Sequence, residues 1–167
     1  MTVENNLPIA YISIGSNIDP HLHIKNTIDV LGKKFADLAI SSVYESESVG
    51  FEGPNFLNLM VSFSSHLSLL ELNQYLHALE DREGRERPNG KAWDSRTLDL
   101  DIILFGDMEG IFQGIELPRD EILQHAHVLW PLAELAADKM HSLSQQTYSE
   151  LRRMTKFPQQ KIWKTKL

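Results

Sequence analysis

The chain has no cysteine among its 167 residues, and that absence removes several chemistries at once. A disulfide framework, a thiolate metal site and a cysteine nucleophile are all excluded, so any bound metal must sit on oxygen or imidazole. Long apolar runs are missing too. None approaches the roughly 20 residues that a membrane-spanning helix needs, and Met1 to Pro8 lacks the charged start and apolar run of a signal peptide. The expectation is a cytoplasmic protein with no membrane partner. Positive charge is in deficit, with 16 Lys and Arg against 23 Asp and Glu and a net charge of -7, which argues against general nucleic-acid binding. Glycine is sparse as well: neither a Walker phosphate loop nor a kinase glycine-rich loop occurs, so the common nucleotide-binding folds are disfavoured. The length and 42% apolar content suit a single domain over 1–167 with one continuous core, expected to be a monomer.

The order of elements read from periodicity is strand, helix, strand, strand, helix, strand. Residues 9–15 form a strand that stops at Gly15. Asp19 is a candidate N-cap with Pro20 at the first helical position, and Ile24, Ile28, Leu31 and Phe35 recur on one helical face. Strands are expected over about 38–46 and over 56–64, where Leu57, Leu59, Val61 and Phe63 alternate with more polar positions, so Asn58 points away from the most apolar face. Between them Glu47 to Asn55 is a mobile loop. Ser68 and Glu71 form a capping box for a helix over 69 to about 82, striped by Leu69, Leu72, Leu76 and Leu79. A strand over 97–105 follows, then a Leu117-Pro118 turn, helices over about 128–137 and 145–154, and a last strand near 160–166. The fold class is α+β: a ferredoxin-like βαββαβ core, an antiparallel-rich sheet with helices packed on it, and C-terminal additions.

Two neighbouring features carry chemistry. In Arg96-Thr97-Leu98-Asp99-Leu100-Asp101-Ile102-Ile103-Leu104, strand alternation sends Leu98, Leu100, Ile102 and Leu104 into the core and puts Asp99 and Asp101 on the opposite face. Two carboxylates side by side repel each other unless a cation or proton intervenes, and hard oxygen ligands facing a polyphosphate suit Mg2+. An Asp-x-Asp alone is as compatible with a solvated strand face. Its context shifts the balance, because Arg82 to Arg96 holds five basic residues against three acidic ones around Pro88, Asn89 and Gly90. Arg85, Arg87, Lys91 and Arg96 could clamp phosphate oxygens around a metal held by the aspartates, which points to phosphoryl transfer. The pairs His21/His23 and His125/His127 are weak metal candidates, since residues i and i+2 on a helix do not face each other.

The block from Trp93 to Gly106, Trp-Asp-Ser-Arg-Thr-Leu-Asp-Leu-Asp-Ile-Ile-Leu-Phe-Gly, resembles the signature of the 6-hydroxymethyl-7,8-dihydropterin pyrophosphokinase family. Tyr11 to Asn17, Tyr44 with Gly50 and Phe56-Leu57-Asn58, Glu80 with Gly84-Arg85, and Leu129-Trp130-Pro131-Leu132 extend the resemblance over most of the chain. It implies a transfer of the terminal pyrophosphate of ATP to a reduced hydroxymethylpterin, releasing AMP, a step of folate biosynthesis. Asp99 and Asp101 would hold two Mg2+ ions; Arg85 and Arg96 would bind phosphate as catalytic residues. His77, Glu80, Arg87 and Ile102 match the ATP side, with Trp93 closing the basic loop over the site. Ser46, the backbone near Val49, Phe56 and Asn58 match the pterin pocket. Where the family has Pro-His this chain reads Pro118-Arg119, and where it has an arginine two residues before an aromatic it reads His125-Ala126-His127. Arg119 and His125 are therefore assigned to ATP with the arginine and histidine exchanged, and His127 to the pterin as a smaller stacking face. Glu47 and Ser48 place a carboxylate near the pocket. Two other readings are a diverged pterin- or nucleotide-binding paralogue without activity, and a nucleotidyltransferase built on Gly15-Ser16 with the acidic pair. The sequence distance between those two features disfavours the second.

Overall fold

The computed structural model describes residues 6–48, 50–84 and 97–167. Strand β1 (Ile9–Ser16) leads to helix α1 (Pro20–Lys34), then β2 (Ala39–Ile40), β3 (Val43–Ser46), β4 (Phe56–Ser64) and α2 (Leu69–Arg82). After it come β5 (Asp99–Phe105), the hairpin β6 (Gly110–Phe112) and β7 (Ile115–Leu117), α3 (Glu121–Gln124), α4 (Ala126–Leu135), β8 (Met140–His141), β9 (Gln146–Thr147), α5 (Tyr148–Met154) and β10 (Ile162–Thr165). The main sheet runs β10-β3-β4-β1-β5 with β2 also on β4, and every pairing in it is antiparallel.

Both faces of this sheet are covered, by different helices. Ile24 and Leu31 of α1 and Leu69, Leu72, Leu76 and Leu79 of α2 pack on Ile12, Ile14, Leu57, Leu59, Val61, Phe63, Leu98, Leu100 and Ile102. On the other face Val128, Leu129 and Leu132 of α4 and Leu151 of α5 pack on Tyr11, Met60, Ile103 and Leu104. The capping box forms as expected: Glu71 N–H donates to Ser68 Oγ at 3.2 Å and Ser68 N–H to Glu71 Oε2 at 2.8 Å. A second one, Thr147 with Glu150, starts α5.

Four expectations need correction. Asp19 stands at the α1 N-cap, but its backbone is left-handed (φ 43°) and its side chain caps nothing; side-chain capping goes with an extended N-cap, and here its carbonyl accepts the Leu22 and His23 N–H groups instead. The strand expected over 38–46 is broken at Ser41 and Ser42. Ser41 Oγ accepts the Met60 N–H at 2.9 Å, and the register slips by one residue between Ile40 opposite Val61 and Tyr44 opposite Asn58. Leu104 does not join Leu98, Leu100 and Ile102. Tyr11 pairs with Leu104 and Ile12 with Ile102, which leaves Ile103 as a bulge and turns both Ile103 and Leu104 toward α4. The β6–β7 hairpin went unread because its turn puts Gln113 (φ 50°) before Gly114 (φ 84°), and glutamine is a poor advertisement for a turn that usually takes Asn or Asp there.

A carboxylate holds α4 to the sheet. Glu134 accepts hydrogen bonds from Ser42 N–H at 2.7 Å and from the Tyr44 hydroxyl, with Lys164 Nζ of β10 at 3.6 Å. Burial alone would raise its pKa, but the hydrogen bonds from Tyr44 and Ser42 outweigh that and hold it below the usual range. Burial, with Glu134 second, pushes the Tyr44 phenol up to about 12. A depressed folded pKa adds stability that is complete above the unfolded value and lost as pH falls through the folded one. Glu134→Ala should therefore lower unfolding free energy by about 2–3 kcal/mol at pH 7. The deficit should shrink below about pH 4. Urea melts at pH 7 and pH 3 with equal deficits would contradict this.

Candidate active site

Strand pairing brings separate stretches of sequence into one row. Tyr44 lies opposite Asn58, Asn58 opposite Gly15, and Gly15 opposite Asp99. Paired residues of antiparallel strands share a face, so Asn58 and Asp99 project on the same side with only a glycine between them. The adjacent row is Met60, Ser13 and Asp101. This is the α4 side, opposite the cluster holding Leu57, Leu59, Leu100 and Ile102, as alternation predicts for Asn58, Asp99 and Asp101.

Asn58 is buried rather than washed by solvent, and its Nδ2 donates to Ser46 Oγ at 2.9 Å. Phe56, on the same face of β4, is half-buried and meets Phe51 edge-on at 6.4 Å. The loop before β4 is pinned at several points: Ser48 Oγ donates to Pro54 O at 2.7 Å, and Asn17 Nδ2 to the same carbonyl at 3.2 Å. Glu47 is engaged by Lys161, whose Nζ lies 3.5 Å from it.

At the other end of the row, Asp101 sits in a field of like charge. Its side chain keeps 43% of its surface open, yet protein surrounds the carboxylate closely enough that desolvation is the main cause raising its pKa to about 7. Asp99 adds the next largest push, Glu80 and Glu121 add more, and Arg119 opposes them. The Arg119 guanidinium reaches Asp101 Oδ1 at 3.6 Å, and it is aimed by the free edge of β5: its backbone N–H donates to Ile103 O at 3.2 Å and its Nε to Ile102 O at 3.0 Å. Glu80, buried in α2, accepts the Leu100 N–H at 2.8 Å and holds the stretch between the two aspartates against that helix. His77 Nδ1 lies 3.3 Å from the other Glu80 oxygen.

Of the remaining site residues expected from sequence, the Ile102 side chain is in the core on the face away from Asp101, and only its carbonyl is turned to Arg119. Arg85, Arg87, Lys91, Trp93, Arg96 and Val49 lie outside the described residues. His125 and His127 correct an expectation: their rings stack with centroids 5.0 Å apart. His125 is the N-cap of α4 with extended backbone (φ -131°, ψ 122°), so helical spacing does not separate the pair. Burial, then His125, pushes the His127 pKa down to about 4, against an upward pull from Asp99, so the ring is neutral at pH 7. Sequence reasoning missed Glu121, whose Oε2 is buried with no hydrogen-bond partner among the described residues, and no residue pattern announced it. Among the described residues no group of three or more His, Cys, Asp or Glu could hold a metal.

The two aspartates of the signature block are crowded by like charge, with Asp99 in one row with a buried amide and Asp101 in the next, and comparison with known proteins settles the kinship. Residues 11–137 match the model of the 7,8-dihydro-6-hydroxymethylpterin-pyrophosphokinase family. The chain belongs to this family. Three relatives are named 2-amino-4-hydroxy-6-hydroxymethyldihydropteridine pyrophosphokinase. The Pseudomonas aeruginosa protein is 34% identical over 132 residues, 77% of this chain and 80% of that one. The Bacillus subtilis protein is 34% identical over 131 residues, 76% and 77% of the two chains. The protein of a Synechocystis species is 34% identical over 151 residues, 85% and 73%. The pyrophosphokinase match runs from β1 to just beyond α4 and so contains both rows of the site together with Glu80, Arg119, His125 and His127.

The crowding of Asp101 has a direct readout. In metal-free protein its carboxyl should titrate near pH 7, and Asp99→Asn, which deletes the like charge, should move that midpoint down. A carboxyl-detected NMR titration in which Asp99→Asn leaves the midpoint in place or raises it would refute the assignment.

Proposed function

We propose that the chain transfers the terminal pyrophosphate of ATP to the hydroxymethyl group of 6-hydroxymethyl-7,8-dihydropterin, releasing AMP, in folate biosynthesis. The observation that carries this reading is the row Asn58, Gly15, Asp99 on one sheet face. It sets a ring-recognising amide and a metal-binding carboxylate on strands that flank β1, with no side chain between. In the reaction a bond forms between the hydroxymethyl oxygen and the β-phosphorus of ATP, and the bond from that phosphorus to the oxygen bridging the α-phosphate breaks. AMP departs with that oxygen, and the hydroxyl proton is lost.

Asp99 and Asp101 are the residues that would hold Mg2+, two ions in our reading. The fit rests on their mutual repulsion and on a donor set made only of hard oxygen. Bound Mg2+ would supply charge neutralisation for the phosphates. Arg119, anchored on β5, offers a fixed guanidinium at the carboxylate end, where it favours the anionic form of Asp101 and presents its remaining donors to phosphate. Arg85, Arg87 and Arg96 are read as further phosphate contacts, with Trp93 over them; His77 and Glu80 belong to the ATP side, where Glu80 acts by positioning β5. On the acceptor side Asn58 offers a donor and an acceptor to the ring edge, Ser46 orients it, Phe56 and the neutral His127 are read as further pterin contacts, and Val49 is assigned there on the family resemblance alone. His125 is read as an ATP contact. We also read the 167 residues as one cytoplasmic, monomeric domain with a ferredoxin-like core, a reading supported by the antiparallel order β3-β4-β1-β5 with α1 and α2 on one face. Among the described residues no helix is long and apolar enough to cross a membrane.

The deciding test is incubation with ATP, Mg2+ and the reduced hydroxymethylpterin. AMP should appear in step with pyrophosphorylated pterin. Release of pyrophosphate would point to a nucleotidyltransferase, and binding without turnover to an inactive paralogue. Asp99→Ala and Asp101→Ala should each cut turnover by about a thousandfold or more. Neither should change the fold, because Leu98, Leu100 and Ile102 supply the packing. Activity near wild type in either variant would remove the metal assignment. His125 gives a separate check: if its ring donates to phosphate, His125→Ala should raise the KM for ATP several-fold while His125→Arg retains it. An unchanged KM in His125→Ala would reject a phosphate contact for His125.

A further inference from the structure

Gly15 lies inside a central strand, paired on both sides, where glycine weakens a sheet and calls for a reason. Backbone conformation supplies none, since Gly15 is absent from the positive-φ residues of the chain, which include Gly50, Gly84, Gly106, Gly110 and Gly114. Helix packing supplies none either. Among the described residues, a Cβ built on Gly15 meets one heavy atom within 4 Å, Asn58 Oδ1 at 3.2 Å. By contrast a Cβ on Gly32 would make only ordinary contact with Leu38, at 3.7 Å.

We propose that Gly15 is a specificity-determining position for the pterin: its missing side chain lets the Asn58 amide lie over the strand, held by Ser46, with its oxygen directed along the row toward Asp99. The amide is confined from two sides. Nδ2 is held by the 2.9 Å bond to Ser46 Oγ, so Oδ1 gives the few tenths of an ångström that an added methyl needs only by straining that bond. Asn58 is buried, and a displaced buried amide weakens its bond to its partner without finding water in exchange. A methyl at 15 therefore shifts the amide against the edge of a flat heterocycle, and it meets no atom of Asp99, Asp101 or Arg119 within 4 Å. This inference rests on the pyrophosphokinase reading for its ligand but not for the Gly15–Asn58 contact itself.

The experiment measures binding of the reduced hydroxymethylpterin, by calorimetry with Mg2+ and a non-hydrolysable ATP analogue, to wild type, Gly15→Ala, Asn58→Ala and the double variant. Side-chain amide NMR of each ligand-free protein is recorded alongside, with Gly32→Ala as the control. Gly15→Ala should weaken pterin binding about tenfold or more, leave nucleotide affinity within about twofold, and shift the Asn58 amide resonances, which Gly32→Ala does not. In the Asn58→Ala background the glycine substitution has no amide to displace and should add less than about twofold. Pterin affinity of Gly15→Ala within twofold of wild type, or losses that multiply in the double variant, would overturn the role of Gly15 while leaving the pyrophosphokinase reading intact. A wild-type protein that binds nucleotide but no pterin would overturn that reading, and the ligand assigned here with it.

Discussion

The pairing of β1 with β4 on one side and β5 on the other is the constraint on which the site depends. β4 brings Asn58, β5 brings Asp99 and Asp101, and neither set has any sequence relation to the other. Their alignment exists only because Gly15 faces both Asn58 and Asp99. Register has a period of two residues, so a slip of one on either side of β1 would send the site residues into the α1–α2 core and expose Leu57, Leu59 or Leu100 in their place. Apolar burial on the far face thus enforces the polar geometry on the near one. Ile12, Ile14, Leu59 and Leu100 carry that restraint, all of them nearly inaccessible.

An edge strand is a poor place to mount a fixed pair of carboxylates unless its outer side is held. β5 is the last strand of the sheet, and two residues secure it from outside. Glu80 takes the Leu100 N–H, and Arg119 takes the carbonyls of Ile102 and Ile103. The Glu80 carboxylate and the Arg119 guanidinium are charged, which strengthens the bonds to the Leu100 N–H and the Ile102 carbonyl over neutral ladder bonds, while the Ile103 carbonyl is held by the Arg119 backbone N–H. The bulge at Ile103 serves the same end. It lets Asp99 and Asp101 face the cleft while Ile103 and Leu104, a few residues later, anchor the strand under α4.

Much of this was legible in the sequence, and what was not has physical reasons. The alternation of Asp99 and Asp101 against Leu98, Leu100 and Ile102, the leucine stripe of α2 and its capping box depend on neighbours within a turn or a strand, so local pattern suffices for them. The bulge at Ile103 and the break at Ser41 and Ser42 depend on what the partner strand does, and no local pattern distinguishes Ile102-Ile103-Leu104 with a bulge from the same run without one. The histidine pair misled for a related reason. Spacing of i and i+2 excludes contact only if both residues are helical, and His125 is the cap. Glu121 and Glu134 announce themselves in no motif, because their importance comes from Asp101 and Tyr44, far away along the chain.

Charge explains why the site needs what the rest of the chain withholds. Asp99, Asp101, Glu80 and Glu121 share one neighbourhood, and among the described residues Arg119 is the one cation that lowers the pKa of Asp101. Burial and these carboxylates raise that carboxyl to about 7, and the nearby imidazole of His127 is kept uncharged by burial. Two carboxylates so placed favour a proton or a cation between them, which is the physical ground on which a divalent ion is proposed there. Three of the chain's 23 acidic residues, Asp99, Glu80 and Glu121, press on this one carboxyl, so the acid excess read from composition has a local counterpart around Asp101.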